Sequence, residues 1–438
     1  MINIVIALIL FTASVYIYNN IINPASVFLG IWIVVLAVYE ISLSQYSPIT
    51  ERTSFVIGMG LVFFFVGAIF FTFVSSQHLN GELYVNNSSK NKTKRNTYVG
   101  TIKYNLVFLL CILSIILLLP DAWNSFRLLL SGNSFQRLRT FYSAGETIIS
   151  NRFLLAIFNY IINPFCVVLI PLCAVDMFVG QKKKWLLVFT FLITFLITLN
   201  SAGRIQIAYI FLHFFTVFLI IKQSVRLPRK VKIFIFLIFI FVIVIINYIT
   251  KSRGSSWTNT TVGLYISGGI PLLDNYINNK NIGFTYGAVS LSGFLKSFFS
   301  IIKNFGFKYP LFLDEIQPIL DVEKLVDVGK LQMNAFVTLF YYFFIDGGYI
   351  GVLIGSVTYG FISSQIYRNS KRKSYKWLVG YCLIVQGLVF SMVRLQFVSI
   401  PYCLSFIVLP FLFKSNSLSI KESLRDKSYE NFSNFTIK

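Results

Sequence analysis

Eleven apolar runs separated by polar breaks govern what this chain can fold into. They lie near 4–18, 27–43, 55–75, 104–120, 153–180, 185–199, 205–221, 233–249, 349–366, 377–393 and 396–413. A helix of about 20 apolar residues crosses the hydrocarbon core of a bilayer. Runs of this length without period-two alternation exclude a closed barrel. The expected fold is therefore an all-α, polytopic integral membrane protein with about eleven transmembrane helices. A short first run and a long fifth one set the range at ten to twelve. Composition agrees: 56% of residues are hydrophobic and 12% charged, where soluble domains average about 45–50% and about 25%. The first run starts at Ile4 without a basic flank and ends in Tyr18-Asn19-Asn20 without a small-residue cleavage pattern. It reads as a retained helix rather than a signal peptide. All five cysteines fall inside apolar runs without C-x-x-C spacing, so they read as small hydrophobes.

The net charge of +22 suggests a nucleic-acid partner until it is sorted by position. Segments 76–103, 181–184, 222–232, 367–376 and 414–438 hold 23 of the 38 Lys+Arg residues, and all five fall on one side of the eleven-span topology. The positive-inside rule makes that side cytoplasmic and leaves no call for nucleic acid. The N-terminus is then outside and the C-terminus inside. Four regions follow: residues 1–249 with about eight spans and an outer loop near 121–152, a large outer loop over 250–348, the last membrane helices over 349–413, and a polar tail over 414–438.

A structureless connection as long as 250–348 is improbable in a compact protein, so a folded cap or active-site element is expected there. Within it, residues 294, 295, 298, 299, 301, 302 and 305 are apolar at helical spacing, which predicts an interfacial helix on the outer leaflet. Ala335–Ile345 is apolar but too short to span, and Asp346-Gly347-Gly348 follows it. That pattern predicts a short re-entrant or interfacial helix, a turn, and then the ninth span.

Soluble-enzyme motifs are absent: no G-x-x-x-x-G-K-[ST], dinucleotide glycine fingerprint, H-E-x-x-H or G-x-S-x-G occurs. His78 falls in a cytoplasmic loop and His213 inside a helix, so no metal site and no cofactor are expected. Attention falls on the outer basic residues, of which eight of fifteen are Arg against six of twenty-three inside. Guanidinium binds phosphate and carboxylate bidentately, which an ammonium does not. Arg204 sits in Asn200-Ser-Ala-Gly-Arg where the sixth span turns into the seventh, Arg253 follows the eighth span, and Arg394 lies between the last two runs. A charge at such depth is costly unless paired, so these three either converge on a phosphate or snorkel to headgroups. Arg137 and Arg139 are two positions apart, and on a helix only one of them faces a given ligand. Asp346 is a candidate general base at the mouth of the ninth span, or a turn residue or cap. Glu40 and Asp176, inside spans, need partners. Outer aromatics, Tyr341 among them, either stack on sugars or anchor the interface.

The sequence Asn200-Ser-Ala-Gly-Arg204 opening a helix, the large late outer loop, and Asn334-Ala-Phe-Val-Thr338 followed by Asp346-Gly-Gly-Tyr-Ile-Gly351 resemble the bacterial O-antigen and capsule repeat-unit polymerases of the Wzy type. The architectural likeness covers nearly the whole chain; the residue-level likeness covers about 200–206, 250–254 and 333–351. The resemblance implies a C-type glycosyltransferase plan shared with the O-antigen ligases. It implies a multi-pass protein of the bacterial inner membrane with its active site on the periplasmic or extracellular face. There a glycan is transferred from undecaprenyl pyrophosphate to the next lipid-linked repeat unit, without a metal or other cofactor. Partners implied are the undecaprenyl-pyrophosphate-linked oligosaccharide, membrane lipids and a chain-length regulator protein. Arg204 and Arg253 match the pyrophosphate-engaging arginines, with Arg137, Arg139, Arg394, Asn334 and Tyr341 as substrate contacts and Asp346 as base. Ligases commonly carry His before that Asn; Met333 stands here, which argues against a ligase. A lipid-linked oligosaccharide flippase is the rival from the transporter class, although no internal repeat supports it.

Overall fold

The computed structural model describes residues 1–79, 101–132, 151–201, 203, 205–222, 266–279, 283–303, 306–322, 325–330, 332–333, 336–371 and 374–414. Most of these are helical: α1 (Ile2–Tyr18), α2 (Pro24–Ile41), α3 (Glu51–Leu79), α4 (Tyr104–Leu130), α5 (Phe153–Val179), α6 (Lys184–Ser201), α7 (Ile205–Lys222), α8 (Gly269–Asn279), α9 (Ser292–Lys303), α10 (Thr338–Lys371), α11 (Tyr375–Val389) and α12 (Ile400–Phe411). Among the described residues seven helices are long and apolar enough to cross a membrane, and α1, α7 and α12 are shorter apolar helices. The architecture is that of an all-α polytopic membrane protein. The span expected near 233–249 lies outside the described residues. The departure from pure helix is a small antiparallel ribbon, β1 (Val326–Asp327) with β2 (Gln332–Met333).

Local chemistry starts and joins these helices. Asn23 caps α2 by accepting from the Ser26 amide at 2.8 Å, with Pro24 as the first helical residue, where its missing N–H costs nothing. Asn151 caps the start of α5 through the Phe153 amide at 2.9 Å. Thr50 precedes α3 and is itself held by Asp274, which accepts from its amide at 2.8 Å and its hydroxyl at 2.7 Å. Outward-facing side chains are apolar along the spans: Val34, Leu109, Ile116, Phe195 and Ile354 are all exposed. Water would penalise such a surface; hydrocarbon does not.

Small residues let α3 and α10 approach backbone to backbone. A Cβ on Gly67 would overlap the Val357 carbonyl, and one on Gly360 would overlap the Phe64 carbonyl. Lipid supplies no hydrophobic drive between helices, so such close van der Waals contact is what holds them.

Hydrogen bonds sort the loops into two ends. At one end the Lys103 amide donates to Leu412 O at 2.8 Å, the Lys414 amide to Thr101 O at 2.9 Å, and the Tyr375 hydroxyl to Val179 O at 2.9 Å. Buried Asp176 accepts there from the Tyr104 hydroxyl at 2.5 Å and from the Gln181 and Lys183 amides at 3.0 and 2.9 Å. At the other end the Met1 amino group meets Glu40 at 2.5 Å, Ser47 N donates to Val328 O at 3.0 Å, and Lys330 N donates to Gln45 O at 3.1 Å. Described lysines of the basic segments, among them Lys103, Lys182, Lys183, Lys184, Lys371, Lys376 and Lys414, therefore cluster at the first end. Asp176 and Glu40, which lacked partners in the sequence, both have them.

The helix expected on the outer leaflet is present as α9, but its apolar face is divided. Gly293 abuts the Phe397 and Ser399 carbonyls and the Cys403 sulfur, and Phe294 stacks on Phe397 at 6.1 Å, so one side docks on the bundle. Phe298 and Ile301 stay exposed. Periodicity marks a face as apolar without saying whether protein or lipid covers it.

Candidate functional site

The site is built around a break in α10. Gly347 (φ −170°, ψ 30°) and Gly348 (φ 60°, ψ −138°) leave helical geometry and divide α10 into a short arm, 338–346, and a long arm, 349–371. Gly348 occupies the left-handed half of backbone space, where a Cβ is penalised. The arms then fold side by side: a Cβ on Gly351 would overlap the Phe343 carbonyl, and Gly355 lies against the Phe343 ring. A boundary at 348/349 thus cuts through one hairpin.

The short arm runs inward from the break. Arg52, near the start of α3, lies over the Phe344 ring at 5.2 Å, whereas Phe340 presses on Gly60, deeper along α3. At 1.5 Å per residue the arm carries Thr338 about 12 Å below the Gly347–Gly348 rim. Arg394 is at that depth, because Thr338 and Arg394 form a parallel bridge and the Val337 and Thr338 amides both donate to Val393 O, at 3.0 and 3.3 Å. The Arg394 side chain is exposed, has no carboxylate within salt-bridge distance among the described residues, and acts electrostatically on the buried phenols Tyr209 and Tyr342.

Asp346 is the last residue before the break and fastens the 285–290 turn to it. One carboxylate oxygen accepts from the Thr285 hydroxyl at 2.6 Å and the Val289 amide at 3.1 Å; the other accepts from the Ser290 amide at 3.0 Å. Two backbone bonds complete the clasp, Tyr286 N to Asp346 O at 2.9 Å and Thr285 N to Ile345 O at 3.3 Å. Of the two roles the sequence allowed, the geometry describes the turn anchor.

Beside the clasp a groove of about 640 Å³ opens between the 284–297 segment and the long arm, lined by Phe284, Tyr286, Leu291, Phe294, Phe343, Ile350, Ile354, Ile362, Leu395 and Phe397 among others. Its wall residues Ile350, Ile354 and Leu291 are exposed.

The structure places Tyr341 elsewhere than expected. Its side chain is fully buried, its hydroxyl donates to Ile319 O at 3.1 Å, and its ring packs against Tyr276 and Tyr342 at 5.3 Å each. A ring with no exposed face cannot stack on a sugar, so Tyr341 is a core residue. Arg137, Arg139, Arg204, Arg253 and Asn334 lie outside the described residues. Asp346 and Arg394 thus border the two ends of the same short arm.

Sequence reasoning missed Thr285 and Ser290, the Asp346 partners, and Thr338. Gly287 marks a turn near the first pair, but nothing in the sequence pairs that turn with Asp346. Thr338 carries a φ of +63°, a genuine outlier for a β-branched residue, and its hydroxyl is buried without a partner among the described residues. Such strain concentrates at functional positions, and no sequence signal announces it. His213, inside α7, is buried and pairs its Nε2 with Gln386 Oε1 at 2.9 Å.

No family model, curated protein or solved structure matches the chain.

Proposed function

We propose that the protein is an inner-membrane glycosyltransferase that polymerises undecaprenyl-pyrophosphate-linked oligosaccharide repeat units into O-antigen or capsular polysaccharide on the outer face, through eleven crossings. The observation that carries this reading is Arg394: an exposed guanidinium without an acid partner among the described residues, set below the rim of a broken apolar helix. An unpaired cation at that depth is costly, which favours an anionic ligand as its counterpart. The charge sorting and the sequence likeness around 200–206, 250–254 and 333–351 support the same reading.

In the reaction, the anomeric C–O bond to the pyrophosphate breaks as the acceptor hydroxyl forms the new glycosidic bond. The hydroxyl proton passes to water at the open rim, and the bonding electron pair leaves with undecaprenyl pyrophosphate as its negative charge. Fixed cations that meet that charge stabilise the transition state more than the ground state. Arg394 is assigned this role together with Arg204 and Arg253, and Asp346 holds the rim in shape. Arg137, Arg139 and Asn334 are assigned to substrate binding.

The test is the glycan profile of a deletion strain. Lipid cores bearing a single repeat unit are expected, restored to long chains by the wild-type gene but not by Arg394→Ala made at normal levels. Cores with no repeat unit at all would instead identify a flippase. Unattached long polymer would identify a ligase.

A further inference from the structure

We propose that the Thr338 hydroxyl is a second donor to the oxyanion that Arg394 meets, so that the two residues together hold one pyrophosphate group; naming the oxyanion a pyrophosphate rests on the polymerase reading. Thr338 combines two costs in one residue. Its φ of +63° suits glycine, and its hydroxyl is closed to solvent without a hydrogen-bond partner among the described residues. A buried donor left unpaired is destabilising. Glycine at this position would avoid both costs, so what threonine adds is its side chain. The methyl group packs against Gly269, where an added Cβ would lie 2.9 Å from it. The hydroxyl is left for another use, and a bound anion would give it a partner.

The backbone sets this hydroxyl beside the cation. Thr338 and Arg394 form a parallel bridge, and the left-handed turn at Thr338 lets two successive amides, Val337 and Thr338, converge on Val393 O at 3.0 and 3.3 Å. From the other side Phe390 O accepts the Val393 and Arg394 amides, at 3.0 Å each. The chain carrying the guanidinium is thereby tied from two directions. Tyr342 lies one turn along the short arm from Thr338, on the same face, and is within electrostatic reach of Arg394. The guanidinium therefore lies near the face that carries Thr338. A phosphate oxygen accepts from a guanidinium and a hydroxyl at once, and such charge-assisted bonds are strong in a setting poor in water. Contact with the anion requires the hydroxyl to turn about its Cα–Cβ bond, a change between staggered rotamers that breaks no hydrogen bond.

Arginine labelling tests the pair on the full chain in phosphatidylcholine nanodiscs, with inorganic pyrophosphate as the probe and no glycan present. Phenylglyoxal modifies exposed guanidinium groups, and mass spectrometry of the peptide containing Arg394 reads the extent. Pyrophosphate is expected to protect Arg394. Thr338→Val should raise the concentration needed about tenfold, the worth of one hydrogen bond to a charged group, and Thr338→Ser should restore the wild-type value. Valine keeps the branched shape and the penalty at φ and removes only the hydroxyl, so the melting temperature should equal or exceed that of wild type. Thr338→Ala, which also lacks the hydroxyl, should match Thr338→Val in protection. A hydroxyl with a purely structural role would give the opposite pattern, earlier melting of Thr338→Val with wild-type protection, and would overturn the proposal. Protection by phosphatidylglycerol in the disc, with none from added pyrophosphate, would assign the pair to lipid headgroups and overturn it as well.

An elongation assay separates this proposal from the polymerase reading. If wild-type protein elongates repeat units and Thr338→Val changes neither protection nor KM for the lipid-linked donor, the Thr338 assignment falls and the polymerase reading stands. If pyrophosphate protects Arg394 in a Thr338-dependent way but nothing is elongated, the reverse holds.

Discussion

Asp176 and Asp346 stand at opposite ends of the molecule and use the same chemistry. Each is buried, each accepts one hydroxyl, from Tyr104 or Thr285, and each accepts two backbone amides of a neighbouring loop. Their surroundings differ. The loop at Asp176 carries Lys182 and Lys183 and closes tightly: a Cβ on Gly180 would overlap the Asp176 carboxylate. The turn at Asp346 borders a broken helix and an open groove. A buried carboxylate by itself therefore marks a joint. What distinguishes the end at Asp346 is the open groove beside an otherwise ordinary clasp, with Arg394, unpaired among the described residues, at the far end of the short arm.

Substitutions can break this comparison at either end. The largest loss of stability is expected from Asp176→Ala, which strands two amides and a hydroxyl at about 1–3 kcal/mol each, or about 3 kcal/mol or more together. Thermal unfolding in detergent reads it, and an unchanged melting temperature would remove the joint. Asp346→Ala should cost less, about 2 kcal/mol, because its turn can relax toward the groove and take water as partner. Asp346→Asn then separates anchor from base. As an anchor, the variant loses melting temperature and elongation together; as a base, it would lose elongation at an unchanged melting temperature. Removing a single donor with Thr285→Val should cost about 1 kcal/mol by the same melting assay. The smallest effect is a gain. Tyr286 is exposed with a φ of +50°, so Tyr286→Gly should relieve a left-handed penalty of about 1 kcal/mol, partly offset by the entropy of a freer unfolded chain.

Much of the fold was legible because membrane crossing imposes strong rules on length and charge. Apolar runs located the described spans, and the lysines they separate do collect at one end. The break at Gly347–Gly348 was legible too, since a run too short to span was followed by Asp-Gly-Gly. That the short arm turns back along the long one was not. Gly351 and Gly355 show their purpose only once Phe343 lies against them. The partnership of Asp346 with Thr285 joins residues far apart in sequence, which no local pattern encodes. Tyr341 misled for a different reason: tyrosine serves equally at interfaces and, with its hydroxyl satisfied, in cores. At Arg394 the sequence offered only depth as a signal; the structure adds an exposed side chain with no carboxylate within salt-bridge distance among the described residues.

The most direct measurement is elongation by the purified protein in nanodiscs, given undecaprenyl-pyrophosphate-linked repeat units and no metal or nucleotide sugar. A ladder of products lengthening by whole repeat units, lost with Arg394→Ala at an unchanged melting temperature, is the expected result. Repeat units that stay single in the presence of folded wild-type protein, or a ladder that persists in the variant, would contradict it.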